Sequence, residues 1–193
     1  MSAMHEAQIV SASVRMNAPH LSTRPGADEY ATYYARYLER VPPGDIVRTL
    51  EVGGREMAAL LGSDFARARA DYRYAEGKWS VKEVLGHVVD AERVFAYRML
   101  RFGRGDTTPL PGFDQDVYVP AGEFDARSLA SVLDEYLAVR SATLQLVHGL
   151  PESAWTRRAE ASGFVMSVRA LAHVIAGHEL HHRAILEQRY FAK

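Results

Sequence analysis

The last long amphipathic stretch of the chain, VRALAHVIAGHELHHRAILEQRY over residues 168–190, carries two histidines in the middle of its apolar stripe. At about 100° per residue, Val174, Ile175, Ile185 and Leu186 fall within roughly 60° of Leu171 and define that stripe. His178 and His182 lie about 20° to either side of its centre, while His181 and Glu179 sit on its shoulders near 80° and His173 points almost the opposite way. Imidazoles are costly to bury unless their nitrogens find partners. Two of them at i, i+4 converge on one point, where a cation can sit. The bland alternative is a pair of core histidines held by hydrogen bonds. His173 and His181 read as surface or edge residues, His181 with the option of touching a substrate.

The rest of the chain supplies the helices that such a segment must pack against. A short helix is expected in DEYATYYARYLERV, stopped by Pro42, Pro43 and Gly44. Asp45 can cap a second, DIVRTLEVGGREMAALLG, whose Gly53-Gly54 pair should weaken or kink its middle. Ser80 and Glu83 form a capping box ahead of VKEVLGHVVDAERVFAYRMLRF, which runs helical to Gly103. Residues 103–124, with three prolines and four glycines, read as a long loop of the kind that is functional or closes over something. DARSLASVLDEYLAVRSATLQLVHGL is another amphipathic helix, AWTRRAEASGFVMS a small hairpin or turn around Ser162-Gly163, and Ser167 can cap the final helix. Four substantial helices and one long connection predict a single all-α domain of the four-helix-bundle type from residue 25 to 193, after a flexible lead over residues 1–24.

GHELHH also fits the H-E-x-x-H pattern of zinc proteases, in which the glutamate activates water. That chemistry needs a third ligand downstream, and only eleven residues follow His182, all finishing the same helix. Glu187 points well away from the pair, and no strand pattern offers an edge for a peptide. The third ligand must therefore come from upstream. His87 leads, although it lies nearly 90° from the centre of its helix's apolar stripe, so that periodicity alone does not choose it. His148 stands at a helix end, where capping is its ordinary role, and His5 and His20 lie in the lead. Asp90 and Glu83, one turn from His87, could orient its ring or supply an oxygen, the plainer reading being a solvated face.

Composition narrows the function. The net charge of −1 and the lack of a basic cluster argue against nucleic acid, and no apolar run is long enough to span a membrane. The N-terminal residues lack the build of a secretory signal, and with no cysteine there are no disulfides, thiolate ligands or protein thiol nucleophiles. The cytoplasm is the expected location.

Taken together, KWSVKEVLGHVVDAERVFAYRMLRFGRGD, PLPGFDQDVYV and SVRALAHVIAGHELHHRAIL resemble the DinB family, the DinB/YfiT-like metalloenzymes, and the likeness runs from about Tyr30 onward. The resemblance implies an up-down-down-up four-helix bundle with one long crossover, commonly a homodimer. It implies a metal triad of His87, His178 and His182 binding a divalent ion, with zinc and nickel best suited to imidazole. Three neutral imidazoles leave a coordination position open, as catalytic sites do. Family relatives include enzymes using low-molecular-weight thiols such as mycothiol or bacillithiol, and others described as metal-dependent hydrolases. The expected partner is thus a small molecule, hydrolysed or joined to such a thiol. On this reading Glu179 is either a general base or part of a salt bridge. Arg183, Arg93 and Arg98 are either anchors for a carboxylate or solvated charges, and Phe113, Asp114, Asp116 and Tyr118 are candidates to line or cover the pocket.

Overall fold

The computed structural model describes residues 18–192. Four long helices dominate it: α2 (Ile46–Leu61), α4 (Val81–Gly103), α6 (Leu129–Gly149) and α7 (Val168–Ile185). Each begins where a short polar side chain takes up an otherwise unpaired backbone N–H. Asp45 accepts from Val47 and Arg48, Ser80 from Glu83, Ser128 from Ser131 and Ser167 from Ala170. Such caps contribute about 1 kcal/mol apiece.

Side-chain contacts fix the helix directions. Gly53 and Glu56 on α2 meet Glu179 and Arg183 on α7, so these two run parallel. Glu92 and Arg93 on α4 meet Arg140 and Glu135 on α6, and both helices end near Leu150, so this pair is parallel too. Leu50 on α2 reaches Arg140 and Gly62 reaches Leu133, which makes α2 and α6 antiparallel. The bundle is therefore up-down-down-up, and residues 104–128 must travel its full length to join α4 to α6.

That crossover is not bare loop. Asp114 caps a short helix α5 (Gln115–Ala121) inside it, and a 3-10 turn follows at Phe124–Ala126. The prolines and glycines hid the cap signal of Asp114. Small accessory elements complete the chain: the one-turn helix α1 (Ala35–Leu38), α3 (Asp64–Ala68) and the hairpin β1 (Arg158–Ala161) with β2 (Phe164–Ser167). The hairpin expected around Ser162-Gly163 is present, antiparallel, with Ala159 opposite Met166. A parallel bridge from Leu110 to Ala161 ties the crossover to it.

Two local expectations change. The segment 28–41 forms 3-10 turns and a single α turn rather than one helix, because tertiary contacts claim its residues. Glu29 pairs with Arg169, and the Tyr37 backbone lies so close to α7 that a Cβ on Gly177 would come within 2.1 Å of the Tyr37 carbonyl oxygen. Helix α2 runs unbroken through Gly53 and Gly54, whose role is steric, since a Cβ on Gly53 would stand 2.4 Å from a Glu179 oxygen. Of the lead to residue 24, residues 1–17 lie outside the described part. Residues 18–24 are tied to the body, with Arg24 donating to the carbonyls of Val41 (2.8 Å) and Leu38 (2.6 Å).

The apolar core falls into two clusters. One gathers Leu50, Phe95, Trp155, Leu171 and Ile175, and the other Met57, Leu85, Val132, Tyr136 and Leu186. Between them, at the level of residues 53, 92, 140 and 178–182, lies a layer of buried polar side chains.

Candidate metal centre

The polar layer has two parts, both built on α7. On the side facing α4, the ring nitrogens of His178 and His182 meet that of His87, and the three groups can offer atoms lying within 4.8 Å of one another. The Nε2 atoms of His87 and His178 are 3.0 Å apart. Ligand nitrogens around a tetrahedral ion at 2.0–2.1 Å would be separated by roughly 3.3–3.4 Å, a value between the 3.0 Å pair and the 4.8 Å limit, so small ring adjustments would let the three imidazoles hold one cation. Neighbouring aromatic rings fix the ring planes: Trp79 lies 4.9 Å from His87, Tyr37 5.2 Å and Phe95 6.1 Å from His178.

Burial keeps these imidazoles neutral. It depresses His87 to about 4, with His181 adding to the effect, and holds His178 and His182 well below the usual histidine range, each neighbouring ring pushing the same way. Neutral imidazole is the form that ligates a metal. Among the described residues no carboxylate pairs with any of the three.

His87 and His178 line a cavity of about 340 Å³ together with Tyr33, Tyr34, Phe95, Phe113 and Ser162. Of the crossover candidates, Phe113 and Asp114 line it. Tyr118 packs against Phe113 with ring centroids 5.4 Å apart, and Asp116 donates its backbone N–H to the Asp114 cap. No local pattern marks Tyr34, Tyr37 or Ser162 as cavity residues, Ser162 being marked only as a turn residue.

The second part of the layer faces α6 and α2. Arg140 grips Glu92 through two hydrogen bonds of 2.9 and 2.8 Å, donates to the Leu50 carbonyl at 2.8 Å and meets Glu179 at 2.5 Å. Tyr136 donates its hydroxyl to the same Glu179 oxygen at 2.9 Å. Burial raises Glu179 and pushes Tyr136 well up, with Arg140 opposing both shifts. Burial alone would lower Arg140, but Glu92, Tyr136 and Glu179 outweigh it and hold the guanidinium charged. Glu179 is thus locked in an ionic cluster, in the place where a protease of the H-E-x-x-H type would need a free base. Arg140 and Glu92 went unremarked in the sequence, although each falls in register with apolar residues, Arg140 between Val132, Tyr136 and Val147 and Glu92 between Leu85, Phe95 and Met99.

The remaining candidates disperse. Glu83 caps Ser80 and pairs with Arg73, and Asp90 pairs with Arg93 at 3.7 Å. Arg93 also meets Glu135, and Arg183 meets Glu56. His148 faces Glu51 at 4.0 Å, and His20 packs on Trp155. His181 is half-buried beside Tyr37 and His182. His173 corrects the expectation of a surface residue: it is buried, its Nδ1 2.8 Å from the Arg169 carbonyl, because the segment 18–41 covers that side of α7. Arg98, too, is buried rather than solvated.

No curated protein matches the chain. Among solved structures it is similar to YfiT from Bacillus subtilis, described as a probable metal-dependent hydrolase with an unusual four-helix bundle topology. The match covers 93% of this chain and 100% of that one, with a TM-score of 0.63 and 14% identity, a likeness of fold. No helix among the described residues is long and apolar enough to cross a membrane. The family model of the DinB superfamily matches residues 49–186, a span that contains all three histidines of the cluster. The chain belongs to the DinB superfamily.

Proposed function

We propose that the chain is a metal-dependent enzyme acting on a small molecule, with His87, His178 and His182 as the ligands of one divalent ion. The observation that carries this reading is the position of the cluster: three neutral imidazoles, unpaired with any carboxylate, two of which, His87 and His178, line a cavity. A structural brace would be closed by protein on every side, and this group is not. Zinc or nickel fits an all-imidazole set best. Bound there, the ion supplies Lewis acidity at an open coordination position.

The chain's own residues do the rest. Trp79, Tyr37 and Phe95 hold the rings in place and keep the site dry, and Tyr33, Tyr34 and Phe113 offer aromatic surface to a substrate. A pocket of this size suits a small molecule. Hydrolysis is the reaction we favour, in keeping with the description of YfiT. Transfer of a low-molecular-weight thiol is the second form, and the absence of cysteine is consistent with a thiol arriving on the cosubstrate. A cytoplasmic homodimer is the setting the family resemblance suggests.

The test is turnover. Zinc- or nickel-loaded protein is assayed on a panel of esters, amides and lactones, and on electrophiles with glutathione, bacillithiol and mycothiol. Activity that disappears on chelation, returns with metal and is lost in His87→Ala supports the proposal. A panel unaffected by chelation in every case contradicts it.

A further inference from the structure

A second feature lies behind the cavity lining, where Arg98 contacts the lining residue Ser162. Arg98, on α4, is 1% exposed, yet among the described residues no carboxylate pairs with it. Arg140, at 3% exposure, meets two. The Arg98 Nη2 donates to the Pro111 carbonyl at 2.9 Å and to Ser162 Oγ at 2.8 Å, while Nη1 is buried without a hydrogen-bond partner. The guanidinium carbon lies 5.8 Å from the centre of the Phe95 ring. A buried guanidinium that the protein leaves without a counter-charge is expensive, and a ligand anion can relieve that cost.

The residues around Arg98 bring it to the cavity. Ser162 sits at the hairpin turn with φ of +56°, a left-handed conformation that a non-glycine residue keeps only when its surroundings enforce it. Its backbone N–H donates to the Leu110 carbonyl at 3.0 Å, which locks the hairpin to the crossover. Because Ser162 Oγ already accepts from Arg98, its own hydroxyl hydrogen remains to be donated elsewhere, and Ser162 lines the cavity. Tyr34 lines the same wall, and its hydroxyl lies within reach of the Arg98 charge. Asp114 is the acidic group on the cavity wall; it is solvent-exposed, and its Oδ1 is engaged by the Asp116 N–H.

We infer that this wall is an anion subsite. A carboxylate or phosphate of the substrate is held by the hydroxyls of Ser162 and Tyr34, with Arg98 behind them as positioning residue and counter-charge, while the reacting bond lies at the histidines. The inference rests on the cavity being the substrate pocket, and it makes the substrate class anionic.

The test measures charge discrimination in the full chain, both as purified and after dialysis against a chelator, so that an anion bound to metal is separated from one bound at this wall. Phenylacetate, phenyl phosphate and neutral phenylacetamide are titrated and followed by NMR, with wild type beside Arg98→Gln, Arg98→Lys and Ser162→Ala. The expected result is at least tenfold tighter binding of one anion than of phenylacetamide in both preparations, with shifts at Ser162 and Tyr34. Arg98→Gln abolishes the preference, Arg98→Lys restores part of it, and Ser162→Ala weakens it severalfold. Whichever anion binds better assigns the group as carboxylate or phosphate. Equal binding of charged and neutral probes by wild type overturns the subsite, as does full discrimination in Arg98→Gln. Should Arg98→Gln fail to fold, undiminished discrimination in Ser162→Ala overturns it instead. A chain that discriminates anions but binds no metal would refute the proposed enzyme and leave this subsite standing.

Discussion

His178 and Glu179 are consecutive on α7 and both buried, but they enter two different polar interiors. Glu179 turns toward α6 and α2, where Arg140 and Tyr136, with Glu92 reaching in from α4, close the group with hydrogen bonds and opposite charge. Only one oxygen, Glu179 Oε1, is left without a hydrogen bond, packed against Gly53. His178 turns toward α4, where the nearest polar groups are two more imidazoles and a cavity. Burial of polar groups therefore does not by itself mark a site. What separates the two halves of the layer is whether the protein supplies the last partner: it does around Arg140 and does not around His178.

This contrast can be broken from either side. Among single substitutions, the largest effect should come from the closed half. Arg140→Ala leaves two buried carboxylates without their cation and should cost about 3–5 kcal/mol in denaturant unfolding. A loss below about 1 kcal/mol would show that the cluster is not the structural element argued here.

Acid should act next, through buried histidines in the metal-free protein. His87 and His173 are both depressed to about 4, chiefly by burial. In the unfolded chain they titrate near 6.5, so above that value neither state is protonated and stability is complete. As pH falls from 6.5 toward 4 the unfolded chain takes up protons first. Stability should then drop by roughly 1.4 kcal/mol per pH unit for each such residue. Urea midpoints that stay flat from pH 7 to 5 would contradict this.

Gly53→Ala should cost about 1–2 kcal/mol, because the clash with Glu179 exceeds the gain in helix propensity. A more stable variant would mean that Glu179 has room to move. The smallest effect belongs to the surface. Arg93→Ala removes half-exposed ion pairs with Glu135 and Asp90 and should shift stability by less than about 1 kcal/mol.

Much of the molecule can be read from its residues, and the parts that cannot share a cause. The long helices carry caps and apolar stripes, and the wheel correctly aims His178 and His182 inward. It fails for His87 because α4 buries residues on most of its circumference, from Val84 and Leu85 through Val88, Val89 and Ala91, so no single stripe defines its inner face. It fails for His173 because the segment 18–41 wraps a side of α7 that would face water in a plain bundle. Arg140 and Glu92 did leave a signal, charges standing in register with apolar residues. Ser162, Tyr34 and Tyr37 left none as cavity residues, since only the hairpin, the crossover and the Gly177 contact bring them to the cavity.

The central claim is that the open half of the polar layer holds a metal, and bound metal measures it most directly. Protein purified without a histidine tag, incubated with zinc or nickel and desalted, is analysed by elemental mass spectrometry beside His87→Ala, His178→Ala, His182→Ala and Glu179→Gln. The account predicts about one ion per chain in wild type, retained in Glu179→Gln and lost in all three histidine variants while they stay folded. No metal in wild type, or metal kept when a histidine is removed, would contradict it.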